Sequence, residues 1–408
     1  MEAIIMAVTL DMIKDARRAM QGIVRNTPLD PAPHVGRNIY IKAENLQLTG
    51  SFKLRGAYNK IRSLTSEEAA RGVIACSAGN HAQGIAYSAS MLGIRSTICM
   101  PAGAPLSKVE STKGYGAEVV LVPGVYDDAA REARRLAQEQ GYTFAHPFDD
   151  PLVIAGQGTI GLEILEQLPQ VEQVIVPIGG GGLISGIAVA IKTLKPSCRI
   201  IGVQAAKAAS MYLSQIEDAP VELTSVATIA DGIAVKKPGE LTFALCQRYV
   251  DEIITVSEGE IACAILRLIE GQKTVAEGAG AAAVAAALFG KVDTLGRPTV
   301  CVVSGGNVDV TTLSRIVTRG LTKSGRIMEL RTEISDNPGS LVHLLQIVAD
   351  TGANVVNIDH ARAVQSSDVG MCLVTLALET RDRDHIRQIR DAMFQAGYYL
   401  LPQEPHAP

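Results

Sequence analysis

Four consecutive glycines, Gly179–Gly182, are the residues of this chain with the clearest chemical meaning. They follow an apolar run at 174–178 and precede a helix-like stretch at 183–190. Because glycine has no Cβ, the backbone of such a turn can approach an oxyanion closely, and several N–H groups can point into one concavity. The helix N-terminus behind the turn adds about half a positive charge. The arrangement predicts a phosphate-binding loop.

This loop lacks the usual nucleotide fingerprints. A Walker loop ends in Gly-Lys-Ser/Thr, whereas this loop continues as Leu183-Ile184-Ser185. A Rossmann turn requires an acidic residue about 20 residues further on, where this chain has Gln204. A glycine-rich connector between packed elements is the structural alternative. Four glycines in succession favour a phosphate that does not belong to a nucleotide.

Lys53 is the candidate reactive amine. It is flanked by Phe52 and Leu54 and follows the turn-forming pair Thr49-Gly50. Apolar neighbours can partly desolvate a lysine, which lowers the pKa of the amine and makes it nucleophilic enough for Schiff-base chemistry. An isolated lysine near a loop is more often simply solvated. Together with a phosphate cup, however, Lys53 fits pyridoxal phosphate, a cofactor that needs both an amine and an anion site.

Two further segments place polar groups at strand ends. The segment 77–81 follows a strand and opens a helix, so its N–H groups and hydroxyl could hold a carboxylate. The segment 304–307 follows the last buried strand and could present the Ser304 hydroxyl to a ring nitrogen. Taken alone, either segment is explained equally well by helix capping or turn geometry.

The elements that must position these residues alternate along the chain. Short apolar runs predict buried strands at 73–76, 96–99, 119–122, 174–178, 200–203, 253–256 and 300–303. Amphipathic segments between them predict helices at 80–91, 127–140, 159–168 and 258–269. This alternation predicts an α/β fold with parallel sheets that are covered by helices on both faces.

The pattern changes after Arg326. The sequence there predicts strands and helices in the order βαββαβ, at 327–334, 340–350, 354–360, 371–378, 384–396 and 398–401. This order within about 75 residues is ferredoxin-like. We therefore expect a separate module that is joined to the rest near 320–325.

Composition excludes several classes of protein. The chain of 408 residues allows two or three domains, and its net charge of −4 with scattered basic residues argues against a nucleic-acid partner. The apolar N-terminus is short and has no basic leader, so neither a signal peptide nor a membrane span is expected. Seven cysteines without a Cys-x-x-Cys pair indicate free thiols in the cytoplasm, and no His/Cys cluster has the spacing of metal ligands.

Taken together, five motifs resemble a known family. They are SFKLRGA, SAGNHAQG, the glycine run, TIADG and SGGNVD. Their order is that of fold-type II pyridoxal-phosphate enzymes, specifically the group of threonine dehydratases (threonine ammonia-lyases) and serine racemases, and the match spans 10–320. The remainder is similar to a single ACT domain. The resemblance implies a catalytic domain at 1–322, with a small subdomain of about 50–150 inserted in a larger one, and an ACT regulatory domain at 326–403.

The resemblance also assigns roles to residues. It implies that Lys53 bonds the cofactor, pyridoxal 5'-phosphate, and acts as the base at the substrate Cα. Asn80 would contact the phenolic oxygen of the cofactor and Ser304 its pyridine nitrogen. Further cofactor contacts, at the phosphate and around the ring, are implied for Gly179, Gly180, Gly181, Gly182, Phe52, Gly232 and Glu277. The substrate carboxylate would be held by Ser77, Asn80 and His81, mostly through backbone N–H groups.

The reaction that the resemblance implies is a β-elimination. It converts L-threonine to 2-oxobutanoate and ammonia, with L-serine as a secondary substrate because the two differ by one methyl group. Ala78 favours a dehydratase, since similar serine racemases carry a serine there that reprotonates Cα, and a methyl group cannot carry a proton. The alternatives are a serine racemase, a 3-hydroxyaspartate dehydratase, and an amino-acid sensor with a decayed enzyme part.

No divalent metal is expected in the catalytic part. Related racemases hold such an ion with two carboxylates near the segment aligned with 204–210, where this chain has Gln204 and Ser210. Hard divalent ions prefer charged oxygen ligands, so Mg²⁺ or Ca²⁺ is not expected to bind tightly there. A monovalent ion is left open.

The resemblance to ACT domains suggests an effector site. The turn formed by Asn337, Gly339, Ser340 and Leu341, with the strand at 354–358 facing it across a domain pair, would bind isoleucine or valine. The alternative is a module that only dimerises. By resemblance, the chain is expected to form a homodimer or a homotetramer.

Overall fold

The structure is a computed structural model that describes residues 7–362 and 370–402. It divides into two compact units, Met1–Leu313 and Ser314–Pro408, and the division falls within a helix at Val310–Ser324. The start of the apolar N-terminal stretch, residues 1–6, lies outside the described residues, as does Gln403, the last residue of the expected regulatory domain. Each unit is described by itself below.

The first unit contains two sheets, whose strands are numbered in chain order. The larger sheet has the strand order β1-β2-β10-β7-β8-β9 and is parallel except for β1, and its strands are β1 (Leu29–Pro31), β2 (Ile39–Ala43), β7 (Gln173–Pro177), β8 (Arg199–Ala205), β9 (Glu252–Val256) and β10 (Thr299–Val303). The smaller sheet is parallel with the order β5-β4-β3-β6, and its strands are β3 (Val73–Cys76), β4 (Ser96–Pro101), β5 (Glu118–Val122) and β6 (Thr143–Phe144).

Helices connect the strands of this unit. They are α1 (Leu10–Ala19), α2 (Lys53–Ile61), α3 (Ser66–Arg71), α4 (Asn80–Met91), α5 (Leu106–Gly114), α6 (Tyr126–Gln140), α7 (Pro151–Gln167), α8 (Gly182–Leu194), α9 (Ser210–Glu217), α10 (Glu240–Tyr249), α11 (Glu258–Arg267) and α12 (Gly278–Leu288), followed by α13 (Val310–Ser324). The parallel sheets and the helix at 80–91 confirm the prediction from sequence.

One predicted helix start is wrong. The helix expected at 159–168 begins at Pro151, because Asp150 caps it through hydrogen bonds from Leu152 N at 2.8 Å and Val153 N at 3.2 Å. Proline at the first helical position needs no N–H partner, and its fixed φ suits a helix start. The glycines in the first two turns interrupt the amphipathic periodicity, so the sequence did not predict this part of the helix.

Helix α12 is built almost entirely from alanine and glycine. It approaches neighbouring backbone closely: a Cβ added at Gly278 would lie 2.5 Å from the Ile229 carbonyl oxygen, and one at Gly280 would lie 2.2 Å from the Gly305 carbonyl oxygen. Glu277 is the N-cap residue of this helix. The helix therefore forms a wall of backbone and methyl groups directly behind the loop that follows β10.

The second unit shows the first five elements of the βαββαβ order predicted from sequence. It consists of β11 (Ile327–Ser335), α14 (Ser340–Asp350), β12 (Asn354–Ala361), β13 (Met371–Glu379) and α15 (Arg383–Gln395). The sheet is antiparallel with the order β11-β13-β12. The last predicted strand, at 398–401, is represented by a single bridge between Thr332 and Leu400. Buried side chains from the sheet and both helices form the core of this unit.

Two further observations concern the chain as a whole. Within 7–362 and 370–402, no helix combines the length and the apolar character needed to cross a bilayer. None of the seven cysteines, all of which lie in the described residues, forms a disulfide, which agrees with the expectation from their sequence context.

Candidate active site

Strand register brings the candidate residues to one edge of the larger sheet. The strands β7 and β10 are parallel neighbours, and Cys301 pairs with Ile175, so the loops that follow both strands emerge side by side. In open α/β sheets, ligands bind outside the carboxyl ends of the strands. The chain before α2 joins the same edge, since Ser51 bridges to Gly305 and Phe52 N donates to Ser304 O at 3.0 Å.

Lys53 is the first residue of α2 and has a desolvated amine. Its Nζ donates a hydrogen bond to Pro147 O at 2.7 Å and lies 5.2 Å from the centre of the Phe52 ring. Burial lowers the pKa of Lys53 from 10.5 to about 8, although the nearby Glu277 acts in the opposite direction. A far larger fraction of this amine is therefore neutral near pH 7 than in an ordinary lysine, which suits it to nucleophilic and base chemistry.

The glycine loop has no room for side chains. A Cβ on Gly180 would lie 2.4 Å from the Phe148 ring, and one on Gly182 would lie 2.8 Å from Phe148 O. Gly181 has φ +97°, a left-handed conformation that other residues rarely adopt. Since α8 begins at Gly182, the loop also presents the first N–H groups of a helix, which have no partner within the helix. This geometry is that of an anion cradle.

The segment His146–Asp150, which we call the connecting segment, links the amine to the glycine loop. Pro147 O accepts from Lys53, and His146 Nδ1 accepts from Asp149 N at 2.8 Å. Asp149 Oδ1 accepts from Thr242 N at 3.1 Å, and Thr242 Oγ1 donates to Gly180 O at 2.6 Å. The sequence reading missed this segment, for which the aspartate and proline at 150–151 were the only local signal.

Asn80 and Glu277 are brought together beside these groups. Asn80 Nδ2 donates to Glu277 Oε1 at 2.7 Å. Asn307 Nδ2 donates both to Asn80 Oδ1 at 2.8 Å and to Thr49 O at 2.7 Å. Asn307 therefore fixes the orientation of the Asn80 amide. It belongs to the motif that carried the resemblance, but the sequence reading assigned it no role.

Glu277 is a buried carboxyl group whose pKa is raised above its ordinary value. Burial, together with the carboxylate of Asp231, raises the pKa of Glu277 to about 7, and Lys108 opposes this shift. Lys108 Nζ pairs with Asp231 at 2.6 Å. A Cβ on Gly232 would lie 3.1 Å from Glu277 Oε1, and one on Gly305 would lie 2.5 Å from it. The predicted residues Gly232 and Glu277 are thus in contact.

Helix α4 presents its N-terminus to this region. Ser77 Oγ accepts from Gly79 N at 3.1 Å. His81 Nε2 lies 2.9 Å from Ala145 O, and burial, assisted by the charge of Lys53, lowers the pKa of His81 to about 3. The neutral ring thus donates to that carbonyl through Nε2, and this nitrogen is not free for a ligand. What remains available here is the set of backbone N–H groups in the first turn of α4.

Two other predicted positions have partners within the protein. Gln204 Oε1 accepts from Tyr212 N at 2.8 Å, and Ser210 Oγ donates to Val235 O at 2.9 Å. Both side chains therefore serve as internal hydrogen-bonding groups. Ser304 is buried, with 3% of its surface exposed, at the end of β10.

The predicted effector residues form the turn between β11 and α14 in the second unit. Asn337 N donates to Ser335 O at 2.8 Å, and Ser340 N donates to Asn337 O at 3.2 Å. Gly339 has φ +93° and precedes α14. Leu341 is half-buried against the core of this unit. The predicted facing strand is β12, which lies at the opposite edge of the sheet from β11.

The residues of the first unit fit pyridoxal phosphate. The glycine cradle accepts only a ligand that approaches bare backbone, as a phosphate does, and the desolvated amine of Lys53 suits a bond to an aldehyde. Polar groups on the half-buried Asn80 and on the buried Glu277 and Ser304 lie around the same strand ends. The cofactor needs these three kinds of group, and the structure brings them to one edge of the sheet.

Comparison with known proteins agrees with this fit. Residues 20–305 match a family model described as pyridoxal-phosphate dependent enzyme. The L-threonine ammonia-lyase of Thermotoga maritima is 50% identical over 395 residues, which are 96% of this chain and 98% of the relative. The processed form of threonine deaminase isoform 2 from Solanum lycopersicum is 39% identical with a TM-score of 0.72, covering 76% of this chain and 93% of that one.

A racemase is also among the similar structures. Maize serine racemase is 36% identical with a TM-score of 0.72, and the match covers 78% of this chain and 99% of that one. The cofactor predicted from the sequence is confirmed by the family match. The chain belongs to the family of pyridoxal-phosphate dependent enzymes.

Proposed function

We propose that the protein is an L-threonine ammonia-lyase, which eliminates water from L-threonine and releases 2-oxobutanoate and ammonia. The observation that carries this proposal is the desolvated amine of Lys53 at the sheet edge that also presents the glycine cradle. The similarity to the L-threonine ammonia-lyase of Thermotoga maritima over almost the whole chain supports it. L-Serine is the secondary substrate.

Different residues have different roles in the reaction. When bound, pyridoxal phosphate supplies the electron sink that acidifies the substrate Cα–H bond. Lys53 holds the cofactor and then removes the Cα proton, for which a pKa near 8 is well matched. The glycine loop Gly179–Gly182 binds the phosphate. Backbone N–H groups of Ser77, Asn80 and His81 hold the substrate carboxylate at the start of α4.

The remaining residues would orient the cofactor ring. Asn80 would contact its phenolic oxygen and Ser304 its pyridine nitrogen, and Phe52 and Gly232 would flank the ring. Glu277 lies beside Asn80 and Gly232, and its raised pKa allows it to share a proton at this position.

The test is a comparison of products. Purified protein with pyridoxal phosphate should form 2-oxobutanoate and ammonia in equal amounts from L-threonine, and pyruvate more slowly from L-serine. Serine racemase is the second candidate, because the maize enzyme has a closely similar fold. Ala78 argues against it, since its methyl group cannot deliver a proton to Cα. D-Serine as the main product from L-serine, or no product from L-threonine, would contradict the proposal.

The rate at which the protein captures its cofactor should report the pKa of Lys53. Only the neutral amine attacks the aldehyde, so the rate is expected to rise with pH and to level off above about 8 rather than near 10.5. Glu277→Gln removes the charge that raises the pKa of Lys53, so it should move this midpoint lower. Stopped-flow absorbance of cofactor-free protein mixed with pyridoxal phosphate measures both midpoints.

The control for that experiment is Glu139→Gln. Glu139 lies on α6 and pairs with the exposed Arg135, so its replacement should leave the capture midpoint unchanged. A midpoint near that of free lysine in the unmodified protein would contradict a desolvated amine.

Gly180→Ala is expected to weaken cofactor binding about tenfold to 100-fold. The added methyl would overlap the Phe148 ring, and relieving such overpacking typically costs about 1–3 kcal/mol. Titration of cofactor-free protein with pyridoxal phosphate, followed by absorbance, measures the affinity. Gly114→Ala is the matched control, because a Cβ there would meet no atom within 4 Å. Equal affinities for the two variants would mean that the loop does not hold the phosphate.

We also propose a layout and a regulatory role. The catalytic domain comprises 1–322, with a small subdomain at about 50–150, and 326–403 form an ACT domain whose turn at Asn337, Gly339, Ser340 and Leu341 binds isoleucine or valine. The observed βαββα order, the bridge between Thr332 and Leu400, and the helix that begins directly after Gly339 support this proposal. The protein would act as a homodimer or a homotetramer.

Binding and activity measured together test the regulatory role. Isoleucine or valine should change the rate of threonine elimination, and threonine should change the affinity for the effector by the same factor, because coupling between two binding sites is reciprocal. Ser340→Trp, at the start of α14, should abolish the response and leave the rate without effector intact. Calorimetry that detects neither amino acid, together with dissociation of the oligomer when 326–403 are removed, would indicate a module that only dimerises.

A further inference from the structure

Three side chains with metal-binding atoms converge at one end of the sheet in the second unit. Asp336 directly follows β11, His360 is on β12 and Cys372 is on β13. Their carboxylate oxygen, ring nitrogen and sulfur atoms all lie within 4.8 Å of one another. One residue lies on or directly after each of the three strands, so no spacing of neighbouring residues in the sequence predicts this cluster.

Strand register explains why they meet. Cys372 pairs with Ile334, and His360 pairs with Val374. Paired residues share a face, and side chains along a strand return to the same face every second residue. Val374 therefore shares the face of Cys372, and Asp336 continues the face of Ile334. All three candidate ligands project from the face that carries the buried core.

The groups are already held in place. His360 Nε2 lies 2.9 Å from Cys372 Sγ, and Cys372 is only 1% exposed. Asp336 N donates to Gly370 O at 2.9 Å, which extends the sheet by one link. Arg362 Nε donates to both carboxylate oxygens of Asp336, at 3.0 and 3.1 Å. An outer partner of this kind orients a carboxylate and leaves it lone pairs for a metal.

We propose that Asp336, His360 and Cys372 form a zinc site, with water as the fourth ligand. Thiolate, imidazole and carboxylate are the ligands that Zn²⁺ takes, at about 2.0–2.3 Å, whereas Mg²⁺ and Ca²⁺ require oxygen ligands. Binding forms the Zn–S bond and releases the thiol proton to solvent. A simple thiol–imidazole hydrogen bond would explain the contact of His360 with Cys372, but it would not require a carboxylate beside them. Asp336 is exposed, so an ion can enter.

The proposal predicts one tight Zn²⁺ ion per chain. Full-length protein is stripped with a chelator and titrated with Zn²⁺ against a chromophoric competitor. Co²⁺ added instead should give the thiolate-to-cobalt charge-transfer band in the near ultraviolet. Asp336→Asn, His360→Gln and Cys372→Ser should each weaken Zn²⁺ binding about tenfold or more, since even outer-shell changes cost about 10–100-fold. Cys372→Ser should also abolish the cobalt band.

Controls separate this site from other thiols and histidines. His343→Gln changes another histidine of the second unit, which lies 2.8 Å from the Tyr398 hydroxyl, and should leave the affinity unchanged. Cys263→Ser should likewise change neither the affinity nor the band. If Cys372→Ser fails to fold, the Zn²⁺ affinities of Asp336→Asn and His360→Gln still test the site, because Asp336 is exposed and His360 is half-buried. A cobalt band that survives in Cys372→Ser, or a Zn²⁺ affinity that none of the three variants lowers, would overturn the proposal.

Discussion

Lys53→Ala is expected to lower the rate of 2-oxobutanoate formation from L-threonine by about 10⁴-fold or more. The substitution removes both the amine that holds the cofactor and the base that takes the Cα proton, and general-base catalysis alone contributes about 10²–10⁴-fold. The glycine cradle is untouched, so pyridoxal phosphate should still bind through its phosphate. Steady-state assays with saturating cofactor measure the loss.

Covalent labelling of the lysine tests the role of Lys53 without relying on the rate of 2-oxobutanoate formation. Borohydride reduction of the loaded protein, followed by peptide mapping, should place the cofactor on Lys53. Lys60→Ala is the matched control, because Lys60 lies seven residues further along the same helix and pairs with Asp150 at 2.7 Å, a residue to which no contact with cofactor or substrate is assigned. Lys60→Ala should keep both the label and most of the activity. A fully active Lys53→Ala protein would refute the assigned chemistry.

Arg55→Met is expected to lower the stability of the first unit by about 3–5 kcal/mol. Arg55 is buried on α2, two residues after Lys53, and pairs with Glu44 and with Glu163, both at 2.7 Å. Lys42 pairs with Glu163 at 2.6 Å, and although burial alone would raise the pKa of Glu163, Arg55 and Lys42 hold it below its ordinary value. Removing Arg55 leaves Glu44 as a buried charge without its guanidinium partner, and it leaves Glu163 with Lys42 and Arg17 only.

Scanning calorimetry of the two proteins at the same pH measures this loss as a lower melting temperature. The chain has two units, so the transition of the first unit is followed separately. Arg135→Met is the control: Arg135 also forms two ion pairs, with Glu132 and Glu139, but it is half-exposed on α6. No resolvable shift is expected there, because exposed pairs contribute little. Equal melting temperatures for Arg55→Met and the unmodified protein would mean that the buried network contributes nothing.

Local sequence patterns predicted the parts of the fold that depend on neighbouring residues. The helix at 80–91, seven of the ten strands in the two sheets of the first unit and the first five elements of the second unit follow from periodicity and turn residues; the sequence did not predict β1, β2 and β6. The position of the glycine loop beside Ser304 follows as well, because carboxyl ends of parallel strands meet at one edge.

What the sequence could not predict depends on contacts between distant residues. The hydrogen bond from Lys53 to Pro147 and that from Asn307 to Asn80 join residues far apart in the chain. The buried pairs of Arg55 were missed for the same reason. Charged side chains are usually solvated, and only the folded structure shows that the Arg55 side chain is buried.

The alanine and glycine composition of α12 has a consequence for motion. Neither residue has a side chain with rotamers, so folding this helix costs little side-chain entropy, and only Val284 and Leu288 along it can change rotamer. Glu277, the N-cap residue, therefore precedes a run of glycine and alanine, Gly278–Ala283, that has no side-chain rotamers to change. Side-chain motion within that run cannot displace Glu277 relative to β10, so such a displacement requires movement of the backbone or of the glutamate side chain itself.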